Sequence, residues 1–302
     1  MLPTFLGIGS AKCGSTWLYK ALSGHPEVFV ARRKEINYFY KNILWHDLDW
    51  YEAHFTQPKN EPLKRIRGEI SPFYSKLGRS GVEAIGRLLP NLRIVYIIRN
   101  PIDRAWSQAS FEFGYLRKQQ LDKMSVSTFL RYFERLRTIR YSDYGRTLDI
   151  WTSVFGREAI HVDRFDRLQA DPRGFLNDIV QHIGASLAWS PSEEILPRKI
   201  AETRALVGER GMTAVPPLVK WYLAVQWRES IRRLNDRLDG CLSDWVQEID
   251  ELVVYSKPSW RLQRQINRMV LSTPERLAYG VYDLVRNLAL SYRYRVVLGD
   301  RA

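Results

Sequence analysis

The chain begins with an apolar run that leads through a glycine-containing loop into a helix-like segment. Residues 4–9 read TFLGIG, residues 10–14 read SAKCG, and residues 15–22 read STWLYKAL. The first run is typical of a buried strand, and apolar residues recur at helical spacing in the last. Because parallel strands need a crossover connection, usually a helix, this order predicts an α/β fold with a parallel sheet covered on both faces.

Two later stretches repeat the order of strand, loop and helix. Residues 93–101 read RIVYIIRNP, a β-branched and apolar run that ends at Arg99, and the segment after it opens with proline and an acid, as helices do. A third strand is predicted over residues 159–165, followed by another helix. Because ligands bind at the carboxyl ends of parallel strands, the loop at residues 9–14 and the segment at residues 99–103 should face one crevice.

The composition and pattern of the sequence change at about residue 216. We therefore predict an α/β core over residues 1–215 and a mainly helical part over residues 216–302 that completes or extends the same domain. Residues 218–238 and 275–297 are rich in Trp, Arg and Leu and are predicted helices. The second has the pattern of a basic amphipathic helix. Closing the core, pairing with another copy to form a homodimer and contacting a membrane peripherally remain alternatives for it.

The formal net charge of +13 predicts an anionic partner, whether a nucleotide, an acidic glycan, nucleic acid or a membrane surface. Charge alone does not choose among them. Two cysteines are too few for a disulfide framework, no signal peptide is recognisable, and no run of about 18 apolar residues occurs. These features lead us to expect a cytoplasmic chain.

The glycine loop departs from the ATP-binding P-loop at one position. Gly9 and Gly14 fit the pattern G-x-x-x-x-G-K-[ST], but Ser15 takes the place of the lysine, and the nearby lysine is Lys12. Glycines before a helix still let backbone N–H groups converge on an anion, to which a lysine adds a full charge. A Mg-ATP site needs an acid at a neighbouring strand end, where this chain has Arg99. The residues therefore favour a phosphorylated nucleotide held without a metal.

Two motifs resemble those of the sulfotransferases that use 3′-phosphoadenosine 5′-phosphosulfate (PAPS), in particular the bacterial and Golgi-type carbohydrate enzymes. AKCGSTWLYKAL resembles their 5′-phosphosulfate loop, and RIVYIIRNPIDRAWSQASF resembles their 3′-phosphate motif, with Ser107 eight residues after Arg99. The resemblance implies a P-loop-like three-layer α/β sandwich around a parallel sheet, with a helical C-terminal extension. It also implies PAPS as co-substrate, adenosine 3′,5′-bisphosphate as product, and no required metal.

The resemblance also implies roles for individual residues. The phosphosulfate would be held by Lys12, Cys13, Gly14, Ser15 and Thr16. Arg99 and Ser107 would hold the 3′-phosphate, and Trp17 would lie against the adenine. Lys12 would also be catalytic, because it can neutralise charge on the bridging oxygen as the sulfuryl group leaves.

A general base is needed to take the proton of the attacking acceptor. Residues 31–40, ARRKEINYFY, resemble a K-E-x-x-F-F stretch whose glutamate is the proposed base in the carbohydrate sulfotransferases, which implies that role for Glu35. The alternative is a surface carboxylate paired with Arg32, Arg33 or Lys34.

Residues 67–75, RGEISPFYS, resemble a G-E-x-[ST]-P-x-Y element that lines the acceptor cleft in the family. Glu69 would support the site by orienting its neighbours. Heparan-type members carry a catalytic lysine where this chain has Ile70, which weakens the case for a highly sulfated glycosaminoglycan acceptor. Further along, residues 196–211 are basic and contain glycine, and Arg204 or Arg210 could close over the 3′-phosphate.

Three functions are therefore distinguished. The first is sulfuryl transfer from PAPS to a hydroxyl or amine of a carbohydrate, glycolipid or secondary metabolite, in line and with a glutamate base. The second is a P-loop-type nucleotide kinase, which Ser15 and Arg99 disfavour. The third is a non-catalytic protein that binds an anionic polymer or a membrane. Nucleic acid is not an expected partner of the first.

Overall fold

The computed structural model describes residues 1–58, 62–135, 139–189, 214–255, 258–259 and 274–299, and of residues 274–283 it describes the backbone alone. The chain divides into two compact units, each built from separate stretches. The first contains residues 1–99, 147–202 and 284–302, and the second contains residues 100–146 and 203–283. The boundary predicted near residue 215 stays a prediction.

The first unit contains a five-stranded sheet. Its strands are β1 (Phe5–Gly9), β2 (Val28–Val30), β3 (Ile66–Ile70), β4 (Arg93–Ile98) and β5 (Ile160–Arg164). They lie in the order β2-β3-β1-β4-β5, and every neighbouring pair is parallel. The predicted α/β fold with a central parallel sheet is therefore confirmed.

Within the described residues, the α-helices with defined bounds are, in chain order, α1 (Ser15–Ser23), α2 (Leu48–Ala53), α3 (Arg79–Leu88), α4 (Pro101–Ala109), α5 (Val126–Phe133), α6 (Tyr144–Phe155), α7 (Phe165–Ala170), α8 (Pro172–His182), α9 (Pro217–Arg237), α10 (Ser243–Tyr255) and α11 (Pro274–Leu298). The helices predicted after β1, β4 and β5 and the two C-terminal ones are all present. A π-helical turn, Ser110–Leu116, prolongs α4.

The sheet is buried on both faces, which explains why its central strands read as continuous apolar runs. All five residues of β1 are buried, and so are all residues of β4 after Arg93. Helices α1 and α8 pack on the sheet, where Trp17 meets the ring of Phe175 edge-on at 5.9 Å. This packing fixes the loop between β1 and α1 at the carboxyl edge of the sheet.

The second unit is helical. Helices α9 and α10 pack together, and Arg228 and Arg232 each bind the carboxylate of Asp250 at 2.7 Å. Trp221, Trp227 and Trp245, which also belong to these helices, are all buried. The tryptophans of α9 and α10 are therefore core residues rather than an exposed sugar-binding surface.

Candidate active site

The glycine loop, residues 9–14, leaves β1 at the carboxyl edge of the sheet and enters α1. Lys12 and Gly14 have positive φ angles of 70° and 86°. A Cβ added at Gly14 would lie 2.7 Å from Cδ2 of Leu168. Gly14 is thus required both by its left-handed backbone and by its contact with α7, since only glycine adopts such a conformation without strain.

The glycine loop leads into the N-terminus of α1, which carries partial positive charge. Gly14 is the N-cap of α1, no side chain caps the helix there, and its first turn contains no acidic residue. The first N–H groups of a helix have no intrahelical acceptor, and the helix dipole adds partial positive charge. Lys12 and Ser15 are half-buried beside this end, and Thr16 is exposed. The arrangement suits a phosphate or sulfate group.

Arg99 joins this loop to the end of the neighbouring strand. Its Nη1 donates a hydrogen bond to the backbone carbonyl of Lys12 at 3.3 Å, and its guanidinium lies 4.8 Å from the ring centroid of Phe165. The backbone N–H of Ser10 also donates to the carbonyl of Ile97 at 2.7 Å. The two motifs that the sequence predicted to face one crevice therefore meet at the carboxyl ends of β1 and β4.

The remaining residues expected at the nucleotide site have different surroundings. Cys13 is fully buried, and its N–H donates to the carbonyl of Ser10 at 3.3 Å. Trp17 is 5% exposed, and its ring lies in the core against Phe175. The Trp17 side chain therefore packs in the core, and the expected adenine contact stays a prediction. Ser107 is a half-buried residue of α4 in the second unit.

The Glu35 loop, residues 31–41, leaves β2 at the same edge of the sheet. Glu35 and Asn37 have positive φ angles of 59° and 52°, which non-glycine residues adopt rarely. The amide Nδ2 of Asn37 donates to the carbonyl of Glu35 at 2.9 Å. The Glu35 carboxylate lies 2.5 Å from Nζ of Lys34, and both side chains are partly exposed. The pairing with Lys34, one of the alternatives from the sequence, is present.

A buried carboxylate organises this loop from beneath. Glu69 is 1% exposed and accepts hydrogen bonds from the hydroxyls of Tyr51 at 2.8 Å, Tyr74 at 2.6 Å and Ser71 at 2.6 Å. The backbone N–H of Ile36 also bonds to it. Burial raises the pKa of Glu69, and these hydrogen bonds oppose that rise. Ser71 and Tyr74 belong to the GEISPFY element noted in the sequence, whereas no sequence signal identified Tyr51.

The turn after β3 touches both loops. The hydroxyl of Ser71 accepts the N–H of Asn37 at 3.0 Å, and the N–H of Ser71 donates to the carbonyl of Gly7 at 2.9 Å. A Cβ at Gly9 would lie 3.0 Å from Cβ of Ser75. The turn after β3 is therefore hydrogen-bonded to the Glu35 loop and to β1, and it lies close to Gly9 at the start of the glycine loop. Ile70, at the position of the heparan-type lysine, is buried against Gly7.

The remaining expectations concern the basic segment at residues 196–211, metal binding and membrane-spanning helices. Residues 196–211, with Arg204 and Arg210, fall outside them. Within the described part of the chain, no cluster of three or more His, Cys, Asp or Glu side chains is arranged to hold a metal ion. In that same part, each helix is too short or too polar to cross a bilayer.

The chain resembles known sulfotransferases in sequence. A family model described as the sulfotransferase domain matches residues 3–204. A membrane-associated sulfotransferase of Dictyostelium discoideum is 29% identical over 126 residues, which cover 42% of this chain and 26% of that protein. The bifunctional heparan sulfate N-deacetylase/N-sulfotransferase 4 of Mus musculus is 22% identical over 283 residues, covering 82% of this chain and 31% of that protein. The chain thus spans between a quarter and a third of the length of these relatives.

The fold resembles that of a sulfotransferase of known structure. The crystal structure of a sulfotransferase from Alicyclobacillus acidocaldarius superposes with a TM-score of 0.64 at 21% identity, covering 81% of this chain and 99% of the other. At this level of identity the match concerns the fold, and it agrees with the parallel sheet and flanking helices described above.

Proposed function

The chain belongs to the sulfotransferase domain family, and from this premise we propose that it transfers the sulfuryl group of PAPS to a hydroxyl or amine of an acceptor molecule. One observation carries the proposal: the guanidinium of Arg99, at the end of β4, binds the backbone of Lys12 in the glycine loop. Two groups that can each bind a phosphate, a loop before a helix and an arginine, are thereby held together.

The residues fit a nucleotide that carries anionic groups at two positions. The uncapped end of α1, the hydroxyls of Ser15 and Thr16 and the charge of Lys12 suit the 5′-phosphosulfate. Arg99 suits the 3′-phosphate because a guanidinium binds phosphate with two parallel N–H groups. Gly14 and Cys13 are proposed to bind the 5′-phosphosulfate, and Ser107 the 3′-phosphate, because of their positions in the two motifs. For Cys13, the hydrogen bond from its N–H to the carbonyl of Ser10 supports a role in shaping the loop rather than a direct contact with the nucleotide.

The transfer requires one bond to form as another breaks. The acceptor oxygen or nitrogen attacks the sulfur in line, and the bond from sulfur to the bridging oxygen of PAPS breaks, releasing adenosine 3′,5′-bisphosphate. Lys12 stabilises the charge that develops on that bridging oxygen. Glu35 takes the proton that the acceptor loses.

Glu69 is a positioning residue for this base. Its carboxylate binds the N–H of Ile36, the residue next to Glu35, and it also binds the Ser71 hydroxyl that accepts the N–H of Asn37. The peptide groups before and after Ile36 are therefore both hydrogen-bonded, which holds the strained backbone at Glu35 and Asn37 in place. Strained conformations persist where the surrounding structure overdetermines them, often at functional sites.

The acceptor is proposed to be a carbohydrate, a glycolipid or a secondary metabolite. The relatives named as heparan sulfate N-deacetylase/N-sulfotransferases support a carbohydrate hydroxyl or amine. Ile70 argues against a densely sulfated glycan, because a buried aliphatic side chain supplies no charge for sulfate groups. A kinase function is weaker, since the end of β4 carries Arg99 rather than an acid that would hold magnesium.

Thermal shift in the presence of EDTA tests the nucleotide. Adenosine 3′,5′-bisphosphate should raise the Tm without magnesium, because binding to the folded state alone stabilises it. In a parallel sample with magnesium and without EDTA, stabilisation only by Mg-ATP would favour the kinase. Stabilisation by neither nucleotide would favour a non-catalytic binding protein. Transfer of labelled sulfate from PAPS into glycan and lipid extracts, with identification of the labelled product, then tests the reaction and the acceptor.

A further inference from the structure

The C-terminal helix α11 presents an apolar stripe to solvent. Leu284, Leu288, Tyr292 and Val296 follow one another at intervals of four residues, and Val285 lies beside them. These five side chains are between 50% and 63% exposed. Residues four apart lie on one face of a helix, so the stripe runs along more than three helical turns. Single exposed apolar residues are ordinary, but a continuous row of this length marks an interaction surface.

The opposite face of α11 is firmly attached to the first unit. Leu290, Tyr294 and Leu298 are buried. Arg286 donates to the carbonyl of Tyr40 at 2.6 Å, and Arg293 donates to the carbonyl of Ile43 at 2.8 Å. The hydroxyl of Tyr294 donates to the carbonyl of Phe39. Since this face already packs on the body of the unit, the outward stripe is not required to complete the core there.

The charge of the segment that carries the stripe indicates which kind of partner would bind there. Residues 284–299 contain three arginines, Arg286, Arg293 and Arg295, and no acidic residue, within a chain of net charge +13. Of the three, Arg295 is exposed and adjoins Val296. Helices that bind in the plane of a bilayer combine an apolar face with basic residues that attract anionic lipids, and Tyr suits the interface because one end is apolar and the other polar.

We propose that the α11 stripe, Leu284, Val285, Leu288, Tyr292 and Val296, docks the protein on an anionic lipid surface. A second copy of the chain fits less well. Each copy would carry a net charge of +13, and a charge of this size opposes self-association. The docking does not depend on the proposed reaction, so the two can fail separately.

Sedimentation with lipid vesicles tests the proposal on the full chain. The parent protein should bind vesicles of phosphatidylcholine and phosphatidylglycerol, bind vesicles of phosphatidylcholine alone more weakly, and lose affinity as salt rises because screening weakens the attraction. Leu288→Asp should lower partition into the anionic vesicles about tenfold or more, since it removes an exposed apolar side chain that would enter the bilayer interface and adds a charge that anionic lipids repel.

Leu63→Asp is the matched control, because Leu63 precedes β3 and is 61% exposed, like Leu288 at 63%. It should bind vesicles like the parent. Both variants should keep the parent's Tm and its affinity for adenosine 3′,5′-bisphosphate. Equal vesicle binding by the two variants, or no binding by the parent, would overturn the proposal. A dimer in sedimentation velocity that Leu288→Asp converts to a monomer would also overturn it and assign the stripe to a second copy.

Discussion

The glycine loop and the Glu35 loop leave the same edge of one sheet, yet they are held in place by different means. The glycine loop is shaped by backbone contacts, the left-handed Gly14 and the bond from Arg99 to the carbonyl of Lys12. The Glu35 loop is held by side chains, through the buried Glu69 and the hydroxyl of Ser71. Nucleotide binding and proton transfer should therefore respond to different mutations.

Glu35→Gln should produce the largest effect. It keeps the shape of the side chain but removes the proton acceptor, so kcat should fall by about 10²–10⁴-fold, the usual contribution of general base catalysis. Glu83→Gln, which changes a partly exposed carboxylate of α3, is the control and should leave kcat unchanged. Steady-state transfer of labelled sulfate measures both, and a fully active Glu35→Gln protein would remove Glu35 from the role of base.

Lys12→Ala should lower kcat by about 10²–10³-fold, the loss typical when one group that stabilises transition-state charge is removed. Its matched control is Lys20→Ala, since Lys20 lies in the last turn of α1, away from the glycine loop. Single-turnover transfer at saturating PAPS separates this effect from binding. Equal rates for the two lysine variants would show that Lys12 takes no part in the reaction.

Arg99→Ala should weaken binding of adenosine 3′,5′-bisphosphate by about 10- to 100-fold, because hydrogen bonds to charged groups contribute about 1.5–3 kcal/mol. Arg93→Ala provides a control on the same strand. Arg93 is at the amino end of β4, where it donates to the carbonyl of Glu158. Isothermal titration calorimetry compares the two, and equal affinities would contradict a phosphate-binding role for Arg99.

Ser71→Ala and Tyr74→Phe should separate positioning from stability. Each removes one hydroxyl from Glu69, but the two bond to the Glu35 loop at different places: Ser71 accepts the N–H of Asn37, two residues from Glu35, and Tyr74 bonds to the backbone of Phe39, four residues from it. Each should cost about 1 kcal/mol of unfolding free energy. Ser71→Ala should also lower kcat by about 3- to 10-fold with unchanged nucleotide affinity, and Tyr74→Phe should not. Equal losses of kcat in both variants would show that the Glu69 network stabilises the fold and does not specifically position Glu35.

The sequence predicted the glycine loop better than the Glu35 loop, and the physical reason is the range of the contacts. Gly9, Gly14 and Arg99 follow strong apolar strands, so their place at the sheet edge could be inferred from strand ends alone. Strands β2 and β3 were not predicted, because Val28–Val30 is very short and Ile66–Ile70 contains Arg, Gly and Glu, which lower the strand signal.

Long-range side-chain contacts account for what the sequence left out. Tyr51 reaches Glu69 from α2, eighteen residues away in the chain, and local spacing cannot reveal such a bond. Trp17 packs edge-on against Phe175 of α8, a contact that local spacing does not reveal either. The helical pattern of α11 was visible in the sequence. Which of its apolar residues stay exposed became clear only from the packing of its opposite face on the first unit.

The separation of binding from chemistry is tested most directly by titrating the Glu35→Gln protein with adenosine 3′,5′-bisphosphate in EDTA. Because the glycine loop and Arg99 do not involve the Glu35 carboxylate in any described contact, the Kd should stay within about twofold of the parent value while sulfate transfer is lost. Loss of nucleotide affinity in this variant, or binding that requires magnesium, would contradict the account.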